Sequence, residues 1–253
     1  WFMSASGGTA LESSTALITA NYYVQQRLPL FVTTLGSGFS TPVGVGVQTN
    51  GKILIADYGN NAIKRMNADG TDIETLGIGF NNPYDIAEQA DGKILVADFG
   101  NNAIKRMNAD GTNIEILGSG FNGPTGVTVQ ADGKIVVCNF FNSTINRMNP
   151  DGTNIETLGS GFNGITGVAV QTNGKILIAD TGNNLVKRMN ADGTNIVTLG
   201  SGFSSPAGVA VQADEKILVA DRGNNAVKIM NADGTGVETL TAGFSGIFDV
   251  VVQ

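Results

Sequence analysis

The stretch "ADYGNNAIKRMNADGT" at Ala56–Thr71 is written again, with one change, as "ADFGNNAIKRMNADGT" at Ala97–Thr112. A copy at a fixed distance is the mark of a repeat architecture, so the period is the first quantity to establish. The phenylalanine of a Gly-Phe pair recurs at Phe39, Phe80, Phe121, Phe162, Phe203 and Phe244, 41 residues apart each time. Five full units therefore occupy 37–77, 78–118, 119–159, 160–200 and 201–241, and a sixth begins at Ala242.

The punctuation inside a unit gives its strands. "GVGVQ" (Gly44–Gln48) is a short strand, and the following Asn-Gly or Asp-Gly predicts a hairpin turn with both turn residues at positive φ. "KILIAD" (Lys52–Asp57) is a continuous apolar run, the pattern of a strand covered on both faces. "GNN" turns the chain into "AIKRMN", "ADGT" turns it again, and "IETLG" (Ile73–Gly77) closes the unit. Four antiparallel strands in 41 residues, with no room for a helix, are a propeller blade.

The ends supply one more blade. "ALITAN" echoes "KILIAD", "FVTTLG" echoes "DIETLG", and "FDVVVQ" (Phe248–Gln253) supplies a first strand. The expectation is an all-β, six-bladed propeller closed by the C-terminal strand joining three N-terminal strands. Its composite blade runs over 15–36 plus 242–253. Residues 15–253 then form a single propeller domain, and 1–14, "WFMSASGGTALESS", are read as a flexible leader or processed end. Closure removes the open strand edges that template aggregation.

Composition agrees and narrows the function. Hydrophobic content of 42% with 35 glycines against 6 prolines describes a folded, turn-rich chain. A net charge of −7, without clustered lysines or arginines, disfavours nucleic acid as a partner. No run approaches the ~18 apolar residues of a spanning helix, so no membrane insertion is expected. The lone Cys138 lies in "KIVVCNF" and reads as a buried hydrophobe.

The stretch "SSPAGVAVQADEKILVADRGNNAVKIMNADGT" (Ser204–Thr235) resembles an NHL repeat, and "DGTNIETL" (Asp151–Leu158) resembles the Asp-Gly-Thr turn of YWTD-type propellers. The resemblance implies six blades and activities ranging from protein, RNA or glycan binding to a few enzymes. Its amidating-lyase and streptogramin-lyase relatives rely on histidines, and this chain has none. Gluconolactonase-like relatives hold calcium at the channel mouth, which makes calcium the one cofactor to consider; no ligand set in this chain aligns with theirs.

Residues that recur in every unit report fold before function. Asp57, Asp98, Asn139, Asp180 and Asp221 are read as capping backbone amides in their own turns. Asp69-Gly70 in "NADGTDIE" is read as a hairpin turn and not a calcium loop. Function belongs where the copies differ. The residue after "AD" is Tyr58, Phe99, Phe140, Thr181 and Arg222 in turn, and the blade-to-blade loops add Tyr84 and Phe248. These seven are the candidate ligand-binding residues, suited to stacking a sugar or anchoring a peptide.

Asp85 and Asp249 replace a glycine, and Glu88 replaces a valine, giving three candidate channel acids that would hold a cation or only water. No catalytic or metal-ligating residue is assigned. The expectation is a non-catalytic recognition scaffold for a protein, peptide or glycan, in an extracellular or cell-surface setting. The alternatives are a metal-assisted hydrolase using the channel carboxylates, and a repeat-amplified or designed scaffold with no evolved ligand. The last draws on uniformity: Gly51–Gly77 and Gly92–Gly118 differ only at Ile55/Val96, Tyr58/Phe99, Asp72/Asn113 and Thr75/Ile116.

Overall fold

The computed structural model describes residues 33–252 and the N-terminal strands Thr15–Ile18 and Tyr22–Gln25. Blade one consists of Pro42–Val47, Ile53–Asp57, Ala62–Met66 and Glu74–Leu76, hydrogen-bonded in that order. Blade two repeats it with Pro83–Glu88, Ile94–Asp98, Ala103–Met107 and Glu115–Leu117. Blade three runs Pro124–Val129, Ile135–Asn139, Thr144–Met148 and Glu156–Leu158. Blade four runs Val168–Val170, Ile176–Asp180, Leu185–Met189 and Val197–Leu199. Blade five runs Pro206–Val211, Ile217–Asp221, Ala226–Met230 and Glu238–Ala242.

The expected sixth blade is corrected. Among the described residues there are five four-stranded blades, not six, and a further sheet of three strands. In it Val250–Val252 pairs antiparallel with Thr15–Ile18, which pairs with Tyr22–Gln25. The expected outer strand "FVTTLG" does not extend it: Phe31 and Val32 lie outside the described residues, and Thr33–Gly36 form no ladder. Of that segment Leu35 is buried, packed with Val45, Ile53, Ile55 and Met66 of blade one. The proposed leader 1–14 also lies outside the described residues.

The second strands behave as their composition requires, with every residue of Ile53–Asp57, Ile94–Asp98 and their counterparts buried. Apolar clusters form between blades: Leu54, Ala56 and Ile63 of blade one meet Ile86, Ile94, Val96 and Met107 of blade two. Cys138 belongs to such a cluster, and burial pushes its thiol pKa up, as for an inert hydrophobe. Polar latches add to the apolar contact. Arg65 donates to Ala109 O of blade two at 2.6 Å, and Arg106 to Pro150 O of blade three at 2.6 Å. Blade five carries Ile229 at the corresponding place, buried with Ile247 and Val250 beside the three-stranded sheet.

The hairpin expectation needs one refinement. Gly51 stands at φ +81° while Asn50 does not, and the bonds Gly51 N to Gln48 O and Gln48 N to Lys52 O define a type I turn followed by a glycine bulge. Only the third loop residue needs the left-handed region. In blade five Glu215 occupies that place at φ +65°.

Candidate functional site

At the end of each second strand a buried carboxylate organises the loops of one propeller face. Asp57 Oδ1 accepts from Ser40 N at 2.7 Å, and Oδ2 accepts from Asn60 Nδ2 and Lys64 Nζ, both at 2.8 Å. Asp98, Asp180 and Asp221 repeat the amide bond and the lysine pair. This corrects the sequence reading: the amide lies in the loop entering the blade, 17 residues upstream, and not in the aspartate's own turn. These groups have no exposed surface, so they are internal ties. The lysine also lies over the Gly-Phe ring, 5.1 Å from the Phe39 centroid and 5.5 Å from Phe80, which explains that pair's recurrence.

The second asparagine of "GNN" adopts the left-handed region, as at Asn61 (φ +54°), and its Oδ1 reaches the next blade, accepting from Asn82 N at 2.7 Å. The Asp-Gly-Thr turns are closed by their own side chains. Thr71 N and Oγ1 both donate to Asp69 Oδ1, holding that carboxyl below its usual range.

On the face built by these ties, the expected aromatic residues meet. Tyr84 packs edge-on to Tyr58 at 6.2 Å and tilted against Phe99 at 5.9 Å, and Tyr58 lies 6.5 Å from Phe99. Phe99 continues to Phe141 at 5.4 Å, and Phe141 to Phe140 at 5.5 Å. The file crosses blades one, two and three, and its far end is open: Phe140 is 37% exposed and Phe141 62%. Phe141 was missed from sequence, although unit three writes "FF" where other units write an aromatic or polar residue and then glycine. Gly123 makes room for it, since a Cβ there would stand 2.5 Å from its ring.

The remaining candidates stand apart from this file. Thr181 Oγ1 bonds Thr166 Oγ1 at 2.6 Å and Pro206 O at 2.7 Å, so it ties loops together. The Arg222 guanidinium lies 4.3 Å from the Phe248 ring centroid, a cation–π pair. Burial pushes Tyr84 up to about 12 although Arg222 opposes the shift, so its phenol stays protonated.

Beneath this face a channel cavity of about 280 Å³ is lined by the inner strands of all five blades and by Phe248–Val252. Asp85 and Asp249 both face it, and each holds amides. Asp85 accepts from Ile86 N and from Val127 N of blade three, both at 2.8 Å. Asp249 accepts from Val45 N of blade one at 3.1 Å and from Val250 N. Burial, with the Asp249 charge beside it, pushes Asp85 well above the carboxylate range, and burial pushes Asp249 up to about 7. Glu88 also lines the cavity but lies at the far end of the inner strands, accepting from Gln48 Nε2 at 3.0 Å and Thr49 N at 2.7 Å. Among the described residues no group of three or more His, Cys, Asp and Glu is placed to hold a metal ion.

Known proteins share this architecture at low identity. A structure of the nidogen/laminin complex aligns with a TM-score of 0.83 at 16% identity, covering 95% of this chain and 98% of that one. A streptogramin B lyase structure aligns with a TM-score of 0.71 at 17% identity, covering 91% and 79%. A catalytically inactive virginiamycin B lyase from Staphylococcus aureus, with quinupristin, gives 0.66 at 17% identity, covering 87% and 76%. No curated protein sequence matches the chain. Residues 203–230 match the NHL repeat, overlapping the span Ser204–Thr235 whose sequence resembles one. The chain is a β-propeller of four-stranded blades carrying an NHL repeat at 203–230.

Proposed function

We propose that this chain, as a single propeller domain over 15–253, is a non-catalytic recognition scaffold that binds a protein, peptide or glycan on its aromatic face. The observation that carries this reading is the continuous aromatic file from Tyr84 through Tyr58 and Phe99 to Phe141 and Phe140. Rings packed edge-on and tilted against one another are rigid and offer large apolar area at small entropic cost, and their exposed end provides the contact surface. The aligned chain of the nidogen/laminin structure has the same fold and belongs to a protein complex, which fits this use of a propeller. The lyase structures share the fold as well, but the residues here favour binding. The chain contains no histidine, and the channel aspartates are occupied with backbone amides.

The test is a glycan and peptide array probed with the protein and with the triple variant Tyr58→Ala, Phe99→Ala, Phe140→Ala. A hit that weakens at least about tenfold in the variant, whose fold is checked by circular dichroism, supports the reading. Binding unchanged by the triple substitution would place the recognition surface elsewhere.

A further inference from the structure

In an antiparallel ladder, the N–H groups along one strand alternate between the partner strand and the opposite side. Each inner strand is paired on one side only, so its alternate amides face the channel. The turn bonds Gln48 N to Lys52 O, Gln171 N to Lys175 O and Gln212 N to Lys216 O set the phase. Counted back along the registers Val45↔Ile55, Val168↔Ile178 and Val209↔Val219, the amides of Val45, Val168 and Val209 point into the channel. Ile86, Val127 and Val250 complete a ring of six at one level.

Two aspartates satisfy four of the six. Asp249 spans Val250 and Val45, and Asp85 spans Ile86 and Val127. Taken in order around the ring, the remaining pair is Val168 and Val209, preceded by Gly167 and Gly208. Among the described residues no side chain meets these two amides. A channel-facing N–H requires an acceptor, and the chain itself shows, twice, that a carboxylate fits across such a pair.

We propose that the channel binds a ligand carboxylate across the amides of Val168 and Val209, the third position of the ring. The fold leaves this place to a separate molecule. A Cβ on Gly167 would stand 2.5 Å from Ala207 O, and one on Gly208 would stand 2.4 Å from Asp249 Oδ1. Gly167, Val168 and Val209 line the 280 Å³ cavity, which is the size for a small acid or a chain terminus. The charge balance permits it: burial and the Asp249 charge push Asp85 well above the carboxylate range, and the Arg222 guanidinium lies against the Phe248 ring at the mouth.

The carboxylate could come from a free small acid or from the C-terminus of a peptide, and one experiment separates these. The ¹⁵N-labelled protein is titrated with acetate, with a tripeptide bearing a free C-terminus, and with the same peptide amidated. Acetamide and chloride serve as controls. Saturable movement of the Val168 and Val209 amide resonances, with Val45, Ile86 and Val127 unmoved, is the expected result. Response to acetate alone identifies a small acid, and response to the free but not the amidated peptide identifies a chain terminus. No movement with any carboxylate, or equal movement with acetamide or chloride, overturns the proposal. Val209→Pro removes one donor on the unpaired side of an inner strand and is expected to abolish the response. The triple aromatic variant is expected to keep it, so this site and the aromatic face fail independently.

Discussion

Blades two and three are built on the same plan and fill its buried polar slot with different chemistry. In blade two, Asp98 pairs with Lys105 at 2.7 Å and accepts from Asn81 N at 2.7 Å. In blade three, Asn139 donates to Asn146 Oδ1 at 2.7 Å and accepts from Asn122 N at 3.0 Å. Both members of the pair have changed together. The slot therefore requires complementarity, not charge. A buried ion and a buried amide are each tolerated with a matching partner, and neither is tolerated alone. The same two blades differ in the channel, where blade two presents Asp85 and blade three presents Gly126. They differ again on the face, where blade three adds Phe141.

The largest effect is expected from breaking the match in blade three. Asn139→Asp places a carboxylate with no exposed surface opposite an amide, and should cost about 3–5 kcal/mol in urea unfolding. Adding Asn146→Lys should recover most of that loss. If Asn139→Asp were as stable as the parent, complementarity would not be the rule of the slot.

The channel difference sets a pH dependence. The folded-state pKa values of Asp85 and Asp249 are raised, so the native state binds more protons than the unfolded chain above the ordinary aspartate range. Stability should then fall as pH rises from about 4 to about 7. Asp249→Asn should flatten that slope in thermal melts across the window, whereas a substitution at Gly126 has no carboxylate to remove.

Smaller effects sharpen the comparison. Converting blade two to the chemistry of blade three, by Asp98→Asn with Lys105→Asn, should change stability by less than about 1 kcal/mol. Lys105→Asn alone should cost several times more. The last test concerns a turn. Glu215→Gly restores the residue the left-handed position favours and should stabilise by about 1 kcal/mol, read as a higher denaturation midpoint.

Much of this was legible because it is local. The glycine at the third hairpin position, the αL asparagine of "GNN" and the Asp-Thr closure of "ADGT" each act within a few residues. Their recurrence every 41 residues therefore exposed the blade. Aromatic positions were legible as places where copies differ: Tyr58, Tyr84 and Phe99 meet directly, and Phe140 joins them only through Phe141. Phe141 was passed over because a single unit carries it. The role of Asp57 and its counterparts was misjudged because their amide partner lies in the loop before the blade. Glu88 lines the same channel as Asp85, but three residues of strand carry it to the other end, onto Gln48.

The sequence by itself determined the repeat, the strands within it and the turns between them, because backbone preference and hydrophobic pattern act over short distances. The expected joining of the C-terminal strand to an N-terminal one is met by the pairing of Val250–Val252 with Thr15–Ile18, whereas only the tertiary structure decided how many complete four-stranded blades the described residues form. It also decided which channel amides meet a carboxylate and which do not. Those outcomes depend on contacts between residues 40 to more than 200 positions apart, such as Asp85 with Val127 and Asp249 with Val45. Such contacts exist only once the ring has brought neighbouring inner strands to the same level.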